Sequence, residues 1–219
     1  AFPNANSTRI GNGATLSADA RWVGDGGLVV SFAENELFYD GFASAQGGSQ
    51  SGNGGFIELS GKQTVEFPSV THLGDTSAVN GHFGTLLIDP TNIDVVPDQH
   101  EGPTSGLVIT NQAISTNLVT NNVIITTNPN PGGTDPGELG TITVFDGTDI
   151  QWNTPTNLQF IANSEIEILG TVTIKAQGSG SLEINAEERI MIGNADSETN
   201  EGSIFSTNLG EITIRAGSG

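Results

Sequence analysis

Leu158 to Ala186 reads LQFIANSEIEILGTVTIKAQGSGSLEINA, and this stretch decides the fold. Its apolar residues recur at every second position in short runs: Leu158 and Phe160, Ile166 and Ile168, Val172 and Ile174, Leu182 and Ile184. Period two marks strands with one buried face, and runs this short, broken by Gly, Asn and Ser, mark strands joined by tight corners. Outward from this stretch, such runs start at Ile142, Ile150, Leu158, Ile166, Val172, Leu182, Ile190, Ile204 and Ile212. Grouped by period they give Ile142, Ile166, Ile190 and Ile212 at steps of 24, 24 and 22, and Leu158, Leu182 and Ile204 at steps of 24 and 22. A coil with one strand on each of three faces has this period, and each group is expected to stack as one interior column.

The first half carries a looser version of the pattern. Leu28, Phe56 and Leu86 recur at steps of 28 and 30, each following a Gly-rich stretch. The extra residues, such as Gln46 to Gly55 (QGGSQSGNGG), are expected to bulge from a corner clear of the core. Two Pro/Gly-rich stretches, Pro97 to Gly106 and Asn128 to Gly140, interrupt the repeat. Between them Ile114 and Leu118 lie one helical turn apart, after Thr110 or Asn111 as N-cap, which predicts one short helix over 111–118 resting on the coil. A strand from Val123 to Thr127 follows. The expected organisation is a first β-helix block over 1–97, a connection of loop, short helix and strand over 98–140, and a second block over 141–219 continuous with the first. The fold is expected to be all-β, a parallel β-helix with three-strand coils of about 24–30 residues. Right-handedness follows from the rule for parallel crossovers. About eight or nine coils at roughly 4.8 Å each would give a rod of about 40 Å.

Composition narrows the function. The 219 residues hold no cysteine, which excludes a disulfide scaffold, a thiol nucleophile and cysteine-ligated metal. Six Lys and Arg against 25 Asp and Glu give a charge of −19. Arg9, Arg21, Lys62, Lys175, Arg189 and Arg215 are too scattered for the basic stripe that nucleic acid requires. No apolar run reaches the length of a membrane span, and no positively charged leader precedes an apolar core. The chain is expected to be a piece cut from, or matured out of, something larger.

Several blocks resemble a known group. LSADA (Leu16 to Ala20), GDGG (Gly24 to Gly27), FYDGFASAQGG (Phe38 to Gly48), GNGGFIELSGK (Gly52 to Lys62) and DTSAVNGHFGTLLIDPTNI (Asp75 to Ile93) stand in order at the right spacing. The stretch from Ala14 to about Val96 thus resembles the repeat region of filamentous-haemagglutinin-type adhesins, the large exported proteins of two-partner secretion systems. ISTNLVTNNVIITT and LQFIANSEIEI extend the resemblance more loosely. It implies a right-handed parallel β-helix, an outer-membrane transporter as partner during export, and a secreted or cell-surface location. It also implies adhesion to a host-cell or matrix glycan or protein receptor, or assembly into extracellular filaments. The sequence departs from the family where export is specified. Asn128 to Gly132 reads NPNPG rather than an NPNG-type motif, and there is no amino-terminal secretion domain, so an interior repeat segment is expected.

The rival is a polysaccharide-binding or polysaccharide-cleaving β-helix protein of pectate-lyase-like architecture. Its candidates are Asp89, Asp94, Asp98 and Glu101, with Lys62 or His100 as proton acceptor. Glycoside chemistry needs two carboxylates within a few ångströms of each other. Asp89-Pro90 reads more simply as a turn ending a strand, so no catalysis is expected. His72, His82 and His100, with Asp75 and Asp98, are spaced by 10 and 18 and fit no zinc pattern. The calcium nonapeptide of β-rolls is absent, which leaves only loose cation binding at Asp25, Glu34, Glu36 and Asp40. GDGG precedes no GK[ST] and no helix, so it is no phosphate cradle. No cofactor or specific metal is expected, and the Asn6-Ser7-Thr8 sequon is a chance match.

Aromatic side chains in alternation, such as Phe32 and Phe56, are expected in the lumen. Tyr39, beside Phe38, must then point outward, and Trp152 at a strand end is the other candidate for exposure and surface binding. Ile212, Ile214 and Ala216 carry a strand almost to the C-terminus, so the last coil is expected to lack a cap and to self-associate end to end.

Overall fold

The short apolar runs are strands, and the chain winds them into about seven turns of a parallel β-solenoid. The computed structural model describes residues 4–68, 71–100, 107–128, 139–193 and 202–217. The first turn holds β1 (Ser7–Ile10), β2 (Thr15–Ser17) and β3 (Leu28–Ala33); the second β4 (Glu36–Tyr39), β5 (Phe42–Ser44) and β6 (Phe56–Gly61). The third holds β7 (Thr64–Glu66), β8 (Gly74–Asp75) and β9 (Thr85–Asp89). In the fourth, β10 (Ile93–Val96) and β11 (Leu107–Thr110) precede a helix, α1 (Asn111–Asn117), and β12 (Asn122–Thr126). The fifth has β13 (Ile142–Val144), β14 (Asp149–Trp152) and β15 (Leu158–Ala162); the sixth β16 (Glu165–Ile168), β17 (Thr173–Ala176) and β18 (Leu182–Ala186). The seventh has β19 (Arg189–Ile192), β20 (Ile204–Thr207) and β21 (Ile212–Ala216).

Three faces result. The third is a seven-stranded sheet, β3-β6-β9-β12-β15-β18-β21, that passes through every turn. The first carries β1-β4-β7 and then β11-β10-β13-β16-β19; the second carries β2-β5-β8 and then β14-β17-β20. The stretch 98–140, set apart by its composition as a connection, thus contains β12, which pairs with β9 on one side and β15 on the other. Alternate side chains of each strand fill the lumen, where Leu86, Ile125, Leu158, Phe160, Ile166 and Ile184 are among the fully buried residues. Each such side chain stabilises the fold by roughly 1.5–3 kcal/mol relative to exposure.

Register on the third face gives the turn lengths. Val29, Ile57, Leu86, Val123, Leu158, Leu182 and Ile212 align at steps of 28, 29, 37, 35, 24 and 30 residues. The long steps explain why the rod has about seven turns rather than eight or nine. At roughly 4.8 Å per turn it is about 30 Å long. Two expected columns are corrected. Ile142, Ile166 and Ile190 do stack, but Ile212 lies under Leu182 on another face and Ile204 pairs with Thr173. More of the chain separates β20 from β19 than separates β17 from β16, so steps of 22 joined residues of different faces. In the first half Phe56 pairs with Leu28 and Thr85, while Leu86 pairs with Ile57. That slip of one residue exchanges faces: Leu28 is 63% exposed, and Phe32 and Phe56 are partly exposed on the outer side rather than in the lumen.

The helix expected over 111–118 is α1. Thr110 caps it, its Oγ1 accepting the Ala113 N–H at 3.2 Å, and Ile114 and Leu118 are fully buried on the coil. It sits on the second face where other turns place a strand. A helix directs its backbone hydrogen bonds along its own axis, so it offers a neighbouring strand no ladder. Side chains supply one instead. Buried Asn117 accepts the Leu73 N–H (3.0 Å) and donates to the Thr71 carbonyl (2.8 Å); buried Asn121 accepts the Thr76 N–H (2.8 Å) and donates to the Gly74 carbonyl (2.8 Å). Toward β14, Asn111 donates to the Asp149 carbonyl (2.9 Å) and Ser115 accepts the Gln151 N–H (3.2 Å).

Candidate functional site

Three Gly-rich loops, 18–27, 45–55 and 76–84, turn the corner from the second face to the third in the first three turns. One backbone hydrogen bond closes each neck: Gly27 N–H to the Ala18 carbonyl (2.7 Å), Gly55 to Ala45 (2.7 Å) and Gly84 to Thr76 (2.8 Å). Between the necks the loops lie on one another. Ala20 N–H donates to the Gln46 carbonyl (2.9 Å), Gln50 to Trp22 (2.8 Å), Gly47 to Ser77 (3.0 Å) and Gly54 to His82 (2.8 Å). Glycine is required by this close approach: a Cβ on Gly54 would strike the Thr76 carbonyl, and Gly52, at φ +130°, lies against the Gly24 carbonyl. The loops that composition marks as bulges therefore form an ordered rib.

The carboxylates of the rib are bonded within it. Asp19 accepts Ser17 Oγ–H (2.8 Å), Ser44 Oγ–H (2.6 Å) and the Gln46 N–H (2.7 Å). Burial pushes its pKa up, but these hydrogen bonds together hold it below the usual value. Asp25 accepts the Asn53 N–H (2.7 Å), and Asp75 accepts the Ser77 N–H (2.8 Å) and the Gln46 side-chain amide (2.7 Å). Among the side chains that the rib turns outward, beside polar ones such as Gln50, Asn80 and His82, are three large apolar ones: Trp22 is 58% exposed, Val23 68% and Val79 79%. The Arg21 guanidinium stands 5.3 Å from the Trp22 ring centroid. An exposed indole held on a rigid backbone stack can bind a partner's apolar or sugar surface at little entropic cost. The signal in the sequence was Trp22 and Val23 standing just before GDGG, outside any alternating run.

The two residues expected to be exposed are in the lumen. Tyr39 is 0% exposed and its hydroxyl donates to the Leu73 carbonyl (3.0 Å); Trp152 is 4% exposed and its Nε1–H donates to the Thr156 carbonyl (2.8 Å). Each polar tip is satisfied inside the coil, so neither ring presents a binding surface. Phe38 takes the outer position beside Tyr39, under the Arg9 guanidinium at 3.7 Å from the ring centroid.

The candidate catalytic residues are dispersed. Asp89 ends β9 on the third face, Asp94 is buried in β10 on the first, and Asp98 accepts the Gln112 N–H (3.3 Å) at the start of α1. Lys62 pairs with Glu34 (2.5 Å), and the His100 ring packs against Phe145 at 4.7 Å between centroids. Glu101 lies outside the described residues. Burial first, and the Glu58 carboxylate second, push Asp89 up to about 6, against a hydrogen bond from Asn128. Its Oδ1 is buried without a hydrogen-bond partner and faces no solvent. Of the histidines, His72 packs on Phe42 at 5.2 Å and His82 lies in the rib, apart from His100. No group of three or more His, Asp or Glu side chains able to hold a metal ion occurs among the described residues. No helix among them is long and apolar enough to cross a membrane.

Comparison with known proteins adds no relative: no family model matches the chain, and no curated protein matches it.

Proposed function

We propose that this chain is a non-catalytic segment of a large exported bacterial adhesin or fibre of the filamentous-haemagglutinin type, acting at the cell surface or after secretion. The solenoid is the shaft and the rib is the part that meets a receptor. The observation that carries this reading is the rib itself, which holds Trp22, Val23 and Val79 in solvent on a rigid stack while its carboxylates are bonded internally. The resemblance of residues 14–96 supplies the setting: passage through an outer-membrane transporter, and a host-cell or matrix glycan or protein as receptor. Axial assembly belongs to the same reading, because β21 pairs with β18 and leaves Ile212 and Ile214 partly exposed.

The test is binding of the purified protein to cultured cells and immobilised matrix proteins, beside the double variant Trp22→Ser, Val79→Ser. Saturable binding that weakens about tenfold in the variant, at an unchanged melting temperature, is expected. No binding to any surface, or full binding by the variant, defeats the proposal. One observation favours the rival, the Asp89 carboxyl held near neutrality at about 6. Release of reducing ends from an acidic polysaccharide, lost in Asp89→Asn, would replace the adhesin reading with a polysaccharide-cleaving one.

A further inference from the structure

We infer that a groove on the outer side of the third face, over β12, β15 and β18, binds one ring of a neutral, hydroxyl-rich saccharide; the biological setting of this site rests on the adhesin reading. The groove is distinct from the rib and lies toward the other end of the strands. Its floor is Thr126, Ile161 and Asn185, three residues in register on successive strands. They are spaced by roughly 4.8 Å. Its walls are the strand-end residues Asn128, Asn163 and Glu187, and its volume is about 270 Å³. That lies just under the range of roughly 300–1,000 Å³ for drug-sized ligands and suits a single sugar ring.

The walls are fixed by the backbone while their side chains are left for a ligand. Asn163 N–H donates to Thr127 Oγ1 (3.2 Å), and the buried Thr127 hydroxyl donates to the Gly140 carbonyl (2.8 Å). Asn128 N–H donates to the Pro90 carbonyl (3.1 Å) and its Nδ2 to Asp89 Oδ2 (3.1 Å), which leaves its side-chain carbonyl as an acceptor. The Asn163 and Asn185 carboxamides have no hydrogen-bond partner among the described residues.

The chemistry selects the ligand class. A carboxamide both donates and accepts, as a sugar hydroxyl does, and the Ile161 side chain offers an apolar floor to the C–H face of a pyranose. No Lys, Arg or His lines the groove among the described residues. Arg215 stands one rung beyond Asn185 but is turned toward Glu183, at 3.9 Å. With Glu187 on the wall and a chain charge of −19, a phosphate, a sulfate or a uronate would enter against repulsion. One carboxylate is too few for a dedicated hard-cation site. A site this small and open predicts a Kd of about millimolar for a single ring.

Amide chemical-shift titration of the intact chain tests this, with methyl glucoside, methyl galactoside and N-acetylglucosamine as neutral probes and glucuronate as the acidic control. At least one neutral sugar is expected to give saturable shifts at Asn163, Asn185 and Glu187. The double variant Asn163→Ala, Asn185→Ala should weaken them about fivefold or more. Neither side chain has a partner among the described residues, so the melting temperature should hold; if the double variant loses its native spectrum, Asn185→Ser alone carries the test. The proposal is overturned by an absence of saturable shifts for every neutral probe, by shifts unchanged in the variant, or by tighter binding of glucuronate. Cell binding that persists without sugar shifts sinks the groove alone, and sugar shifts without cell binding sink the adhesin reading alone.

Discussion

The first three turns and the last three round the same corner, from the second face to the third, by different means. In the first three the chain leaves the coil in a loop and returns, and successive loops are joined by backbone N–H and carbonyl groups, as between Gln50 and Trp22 or Gly54 and His82. In the later turns the corner is short and side chains form the rungs. Asn122 Oδ1 accepts the Asn157 N–H (3.0 Å), Asn157 Oδ1 the Ser181 N–H (2.9 Å), and Ser181 Oγ the Glu211 N–H (3.1 Å). A backbone rung demands glycine and tolerates change in loop length. A side-chain rung demands Asn or Ser at one position and holds the step between Leu158 and Leu182 at 24 residues. The first arrangement carries Trp22, Val23 and Val79 out together on stacked loops, whereas in the last three turns the short corner before β21 exposes Leu209 by itself, which is why the candidate receptor surface is placed on the first end of the shaft.

The largest expected effect contrasts the two tryptophans, one in each region. Trp152 fills the lumen and donates to Thr156, so Trp152→Ala should destabilise by about 3–5 kcal/mol. Trp22 touches no core, and Trp22→Ala should change stability by less than about 0.5 kcal/mol. Urea denaturation measures both. In the native protein iodide should quench the emission that disappears with Trp22→Phe and leave that of Trp152. Equal losses of stability, or a shielded Trp22, would mean that the rib is packed as the lumen is.

A second contrast sets a rib glycine against a glycine of the last turn. Gly54→Ala forces a methyl group into the Thr76 carbonyl, whereas Gly202→Ala meets nothing within 4 Å. The first should cost about 2–3 kcal/mol and the second less than about 0.5 kcal/mol. Hydrogen exchange should also speed up at the Gly55 and Gly84 amides in the first variant. A rib that tolerates Ala at Gly54 would be looser than its hydrogen bonds imply.

These contrasts show why the fold was legible and the site less so. Period-two alternation is imposed by the pleat, so strands such as β15 and β18 and their alignment could be read directly from Leu158 and Leu182. The helix was legible because Thr110, Ile114 and Leu118 satisfy capping and one-face burial within a few residues. Register was lost wherever a corner had an unknown length, as before β20, because the sequence contains no mark for which residue re-enters the sheet. Tyr39 and Trp152 were placed outward on alternation beside Phe38 and on position at a strand end. Tyr39 lies inside because the Leu73 carbonyl, 34 residues away, is within reach of its hydroxyl, which no local pattern carries. Trp152 lies inside because it alternates with Ile150 in β14 and the Thr156 carbonyl four residues on takes its N–H, a local signal that its place at a strand end obscured. Trp22 belongs to no alternating run, and no local pattern marks it for display, because the rib that displays it exists only through stacking between residues about 28 apart.

The smallest effect also sets the rib against the shaft, through two carboxylates displaced in opposite directions. Asp89 is raised from 3.8 to about 6, first by burial and then by the Glu58 carboxylate. The folded state therefore binds its proton more tightly than the unfolded state does. The stability it contributes is fully present below about pH 4 and is lost as pH rises through about 6. The charged group that acts on it is Glu58 of β6, and β12, Asn122–Thr126, carries no charged residue. Asp89→Asn keeps an acceptor for Asn128 and turns a donor toward Glu58. It should stabilise the protein by about 1–2 kcal/mol at pH 7.5, after allowance for partial solvent screening, and flatten the stability profile between pH 4 and 6. Asp19 in the rib has the opposite sign, since its hydrogen bonds outweigh its burial and hold its pKa down. Its contribution is present above its unfolded pKa and fades in acid, so Asp19→Asn should cost stability at pH 7.5 and cost less as pH falls below 4. Denaturation profiles of the two variants from pH 3 to 8 should therefore move apart from the parent in opposite directions. Parallel profiles would mean that the buried Oδ1 of Asp89 reaches water, and with that the objection to Asp89 as a catalytic acid would fall.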